Sequence, residues 1–170
     1  MPLYVYYDKR DWSNETTKQY FTESRTKAVD KELQTNMPKD LQFDRDFTIR
    51  RILITIPQGL KSSTTAADTT LDDILFEFIN NGVIELQVGV GEVLYFPVAL
   101  ALGGPHIETA LQYTLASAAD RSYVALNLVG KEGLQVDIPV PANTDLKFII
   151  KTKNPVTVSD VKVYLIGERA

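Results

Sequence analysis

No cysteine occurs among the 170 residues of this chain, which excludes disulfides, thiolate metal ligands and thiol nucleophiles together. Histidine is almost as scarce. The one present, His106, follows Gly103-Gly104-Pro105 and reads as a loop residue. A single imidazole cannot build a histidine-rich metal site of the cupin kind, and no serine sits in a nucleophile-elbow context. No apolar run approaches the roughly 20 residues that cross a bilayer. The start, Met1-Pro2-Leu3-Tyr4, lacks the basic and apolar regions of a secretory signal. An excess of positive charge is missing too: 18 Lys and Arg stand against 22 Asp and Glu, a formal net charge of −4. A broad phosphate-binding face needs clustered cations. The inventory therefore predicts no catalytic residues, no cofactor, no metal, no small-molecule substrate and no nucleic-acid partner.

The chemistry-bearing residues that do occur have plainer readings. Asp68, Asp72 and Asp73 are the densest acidic group outside the first 46 residues. They precede an apolar helical run, where carboxylates offset the helix dipole; the alternative is a carboxylate pair for glycoside hydrolysis. The alternating oxygen ligands and glycine turn of a calcium loop are absent. Gly89-Val90-Gly91-Glu92 lacks the Lys-Ser/Thr end of a phosphate loop and sits between two β patterns, so it predicts a hairpin turn.

The chain divides in two. Residues 1–46 carry eight basic and nine acidic residues, a dense but balanced charge, and form an N-terminal arm. Leu3–Tyr7 is a short β-prone stretch. Ser13 or Asn14 caps an expected helix over Glu15–Leu33, whose thin apolar stripe (Tyr20, Phe21, Ala28, Leu33) buries too little to stand alone. Rigid aromatics on such an arm point to a protein contact, and Leu3, Tyr4, Tyr6, Tyr7, Trp12, Tyr20 and Phe21 are the subunit-interface candidates.

Residues 47–170 carry a period of two. Ile84–Val90, Leu134–Val140, Leu146–Lys151 and Val161–Ile166 each alternate apolar and more polar positions, the mark of half-buried strands. Further strand candidates are Leu94–Leu102, Thr109–Leu115 and Tyr123–Val129. Turn chemistry separates them at Asn80-Asn81-Gly82, Gly103-Gly104-Pro105, Gly130–Gly133 and Pro141–Asp145. Phe47 and Ile49 hold one phase while Ile52, Ile54 and Ile56 hold the other, so a β-bulge is expected at Arg50-Arg51. Leu71–Ile79 fits a short helix stopped at Asn81-Gly82 better than the first arm of a hairpin. Lys61–Asp68 reads as a loop. The expected fold is all-β, a single jelly-roll sandwich or barrel with a partly helical N-terminal arm.

The run Leu75–Gly89, then Leu94-Tyr95-Phe96-Pro97-Val98, resembles the early region of viral single jelly-roll capsid proteins, as does the final stretch Val161–Glu168. The chain is most similar to the smaller major capsid protein of tailless icosahedral phages with an internal membrane, the sphaerolipovirus type. The resemblance covers roughly residues 47–170. It implies eight strands in two facing sheets, upright subunits, association with copies of itself and with a second capsid protein, contact with an internal virion membrane, and no catalytic residues. The expected function is a self-assembling structural virion protein, made in the host cytoplasm and located in the capsid shell. Two other functions compete: a sandwich that binds carbohydrate or a host surface, as in phage fibres or baseplates, and a small jelly-roll enzyme using Asp68, Asp72 or His106.

Overall fold

The computed structural model describes residues 2–56, 70–103 and 133–170. Its strands are β1 (Leu3–Tyr20), β2 (Phe47–Thr55), β3 (Val83–Val88), β4 (Leu94–Pro97), β5 (Leu134–Val140) and β6 (Leu146–Arg169), with helices α1 (Thr70–Asn81) and α2 (Val98–Ala101). All six strands join one antiparallel sheet that curls into a half-barrel, so the all-β class holds.

The spine is β6. It pairs through Leu146–Lys151 with β3 and through Lys162–Arg169 with β2, while β1 pairs along both stretches. Two segments expected as separate strands, Leu146–Lys151 and Val161–Ile166, are thus one 24-residue strand. It contains a residue with positive φ, Asp160 at 61°, where its ladder with β1 shifts register between Val158 and Val161. Alternation still governs it, because Val161, Val163 and Leu165 are buried while Lys162, Tyr164 and Ile166 are half-exposed.

The bulge expected at Arg50-Arg51 is present. Both ladders of β2 shift register between Ile49 and Arg51, which lets Phe47, Ile49, Ile52 and Ile54 all face the core. Arg50, the extra residue, points outward and pairs with Asp137 at 2.8 Å and Glu168 at 3.2 Å. The β3–β4 hairpin turns at Gly89, whose φ of 57° suits a residue without Cβ.

Helix α1 also forms as expected and ends at Gly82. A side chain there would collide with the carbonyl oxygen of Phe78 and with Val98, so packing requires glycine at that position. The stretch Leu94–Leu102 departs from expectation: only Leu94–Pro97 is strand, and one helical turn follows. Pro97 has no amide hydrogen to continue a ladder. Leu102 bridges to Ile54, which brings α2 against β2. Thr109–Leu115, Tyr123–Val129, His106, Asp68, the loop Lys61–Asp68 and the side chains of Asp72 and Asp73 lie outside the described residues.

The largest correction concerns the arm. A helix over Glu15–Leu33 does not form; β1 continues to Tyr20, and the only helical turn in that stretch is the 3-10 turn Lys31–Leu33. Asn14, an expected cap, instead takes φ 53° at an irregularity of the ladder. The physical reason is visible in phase. Tyr4, Tyr6, Asp8, Trp12 and Tyr20 all occupy even positions; four of them are buried and Tyr4 is half-buried. Three register shifts between Arg10 and Thr17 absorb the intervening polar residues. Pairing along β6 outweighs the weak helical propensity of a stretch with little to bury.

Candidate interaction surfaces

The seven aromatic and apolar candidates on the arm separate into two groups. Tyr6, Trp12, Tyr20 and Phe21 are buried in the core of their own chain. Tyr6 stacks on Phe43 with ring centroids 4.2 Å apart and meets Phe47 edge-on. Trp12 packs edge-on against Phe78 of α1 at 5.2 Å. Tyr20 and Phe21 both meet Phe148 of β6. Such pairs add to the area each ring buries. Leu3 is 71% exposed, and Tyr4 and Tyr7 are half-buried. Tyr4 lies beneath the Arg169 guanidinium at 3.7 Å, and Lys162 sits over both Tyr7 and Tyr164.

A buried polar group holds the end of β1. Asp8 is fully buried, and its Oδ2 accepts hydrogen bonds from the Phe21 amide at 2.7 Å and from Arg10 Nε at 2.9 Å. Its Oδ1 has no partner, since the nearby Thr35 hydroxyl is turned to the Tyr7 carbonyl. Burial pushes the Asp8 carboxyl above the usual carboxylate range, and the Arg10 guanidinium and Phe21 amide offset this only in part. Phe21 needs the help: its φ of 61° is strained for a bulky residue. Asp8 is paired and out of solvent, so its role is to fasten the chain reversal.

A second fastening joins α1 to β6. The Glu77 carboxylate accepts the amides of Lys153 at 2.9 Å and Asn154 at 2.7 Å, together with the side-chain amides of Asn81 and Asn154. Desolvation acts to raise its pKa, but these donors favour the charged form more strongly and bring it down to about 2.

The strand edge of β1 is covered over Val5–Lys9. The Asn36 side chain accepts the Tyr7 amide and donates to the Val5 carbonyl, both at 2.8 Å. The Lys9 amide donates to Gln34 O at 2.9 Å, and the Asn36 amide reaches the Tyr7 carbonyl at 3.4 Å.

Besides Leu3, Val29 and Leu33 of the arm, exposed apolar side chains lie on β3, β4, their connecting turn and α2. On β3 and β4 the inward pairs are Ile84 with Phe96 and Leu86 with Leu94, which leaves Val83, Glu85, Tyr95 and Pro97 on the outer face. Tyr95 is 64% exposed, Leu100 of α2 is 54% exposed, and Val83 is 36% exposed. On the same face Lys151 pairs with Glu85 at 2.7 Å. The sequence reading missed this surface, although Val83, Tyr95 and Pro97 break the polar phase that an outer face should show. It missed Asp8 and Asn36 as well, whose roles come only from distant partners.

Among the described residues no group of three or more His, Asp or Glu is placed to hold a metal ion, and no helix is long and apolar enough to cross a membrane. Compared with protein-family models, with curated proteins and with solved structures, the chain matches none.

Proposed function

We propose that this chain is a self-assembling structural subunit of a virion shell, a single jelly-roll sandwich that works by joining copies of itself and a second capsid protein. The observation that carries the reading is the outer face of the β3–β4 hairpin. Val83 and Tyr95 expose apolar surface there beside an ion pair, Glu85 with Lys151, and Leu100 of the following α2 is exposed as well. A large exposed aromatic in an apolar patch is the usual anchor of a protein contact. A face with one acid and one base can also match itself across a twofold axis. The arm supports the reading less than its aromatics suggested, because four of the seven candidates are buried in their own chain.

Sedimentation velocity over a wide concentration range, with negative-stain microscopy of the associated fraction, tests the proposal. The expected result is reversible association that Tyr95→Lys combined with Leu100→Lys weakens by at least about tenfold, roughly 1.4 kcal/mol. A wild-type chain that stays monomeric at every concentration, alone and mixed with other shell proteins, overturns it.

Tyr95 also fits the binding-module reading, in which an exposed ring stacks on a sugar. A glycan-array signal that disappears in Tyr95→Ala, from a protein that does not self-associate, favours that alternative.

A further inference from the structure

We propose that residues 34–36 are an autoinhibitory strap that closes the outer edge of β1 to strand addition by a second copy of this chain. An exposed edge presents unpaired amides and carbonyls in a row, which recruit any extended chain. Over Val5–Lys9 the row is filled from within. Val5 O, Tyr7 N, Tyr7 O and Lys9 N, the groups that a neighbouring strand would take, are bonded to Gln34, Thr35 and Asn36. The Asn36 carboxamide serves as a peptide group, donating to one β1 residue and accepting from another. Asp8 and Thr35 form a single antiparallel bridge, so the strap is one strand residue long and side chains supply the rest.

The strap is anchored at both ends. Upstream, the Gln34 and Thr35 amides donate to Lys31 O, and the Tyr7 hydroxyl donates to Glu32 O. Downstream, Met37 is fully buried, and its carbonyl accepts the Arg25 amide. Between these anchors Asn36 makes two of the three side-chain bonds from the strap to β1, and the Thr35 hydroxyl makes the third. It is the point at which the cap can be opened with the least damage to the fold.

The inference goes beyond the shell reading and does not depend on it, because it compares variants of one chain at one concentration. In sedimentation velocity, Asn36→Ala is expected to add an association step that the wild-type chain lacks. Lys9→Pro in the Asn36→Ala background is expected to abolish that step. The Lys9 amide points to the strap and not to β6, so proline there removes an edge donor and leaves the β1–β6 ladder whole. An Asn36→Ala chain that sediments as the wild type does overturns the inference, and so does association that persists in the double variant. Should Asn36→Ala fail to fold, hydrogen exchange of the wild-type chain decides. Tyr7 and Lys9 amides protected to the level of the Tyr6 and Asp8 amides support the strap, and exchange at the rate of free peptide overturns it.

Discussion

Trp12 Nε1 donates a hydrogen bond to the Tyr20 hydroxyl at 3.0 Å, joining two rings on one strand that are both withdrawn from solvent. The Tyr20 hydroxyl in turn donates to the Val161 carbonyl at 3.2 Å. The three residues tie the irregular middle of β1 to the spine of the sheet, across the stretch where register shifts weaken the ladder. Burial pushes the Tyr20 hydroxyl above its ordinary pKa, which favours the protonated donor.

Tyr20→Phe removes this relay and little volume. It leaves the Trp12 indole N–H buried without an acceptor, which costs about 1–3 kcal/mol. Urea denaturation followed by tryptophan fluorescence should show a lower midpoint with an unchanged slope.

Asp8→Ala should be more damaging. It leaves the buried Phe21 amide unsatisfied and Arg10 with only the more distant, exposed Glu23 carboxylate at 3.8 Å, a loss of about 3–5 kcal/mol when a buried pair is broken. Asp8 also sets a pH dependence of definite sign. Its folded pKa lies above the unfolded value, so its contribution is fully present below the unfolded pKa and declines as pH rises through the raised one. Asp8→Asn should flatten that part of the stability profile in denaturant titrations at a series of pH values.

Glu77 works in the opposite direction. Its folded pKa of about 2 lies below the ordinary 4.5, so its contribution is present above the unfolded value and is lost as pH falls from about 4.5 toward 2. Melting curves across that window should converge for the wild type and Glu77→Gln at the acid end and separate above pH 5, with Gln the less stable.

Gly167→Ala tests the β2–β6 contact. A Cβ at Gly167 would fall on the carbonyl oxygen of Thr48, well inside van der Waals contact, with Phe47 close beyond it. Because the obstacle is backbone, the strands must part, and a loss of more than about 2 kcal/mol is expected. Circular dichroism melts of Gly167→Ala beside Gly91→Ala, whose glycine is exposed with an ordinary φ and where a Cβ would meet only the Val88 carbonyl oxygen at 3.1 Å, should separate this effect from a generic glycine effect.

Much of the described part of residues 47–170 was legible because its determinants are local. The change of phase between Ile49 and Ile52 requires an extra residue, and Arg50 is that residue. Gly89 marks a turn by its own backbone freedom, and Leu134–Val140 alternates along the whole of β5. Proline at 97 was there to be read as the end of β4, but the apolar run beyond it hid the single turn of α2.

The arm was decided by the tertiary structure alone. Its sequence determined which residues are large and aromatic, and that a helix there would be poor. It did not determine that Tyr6, Trp12 and Tyr20 share one face, because Asp8 stands in that phase and polar residues fill the gap from 13 to 19. Only β6, some 140 residues further along the chain, supplies the ladder that makes β1 a strand, and only the fold brings Arg10 and the Phe21 amide to Asp8. Strand pairing and the burial of a charge depend on partners distant in sequence, which a local pattern cannot reveal.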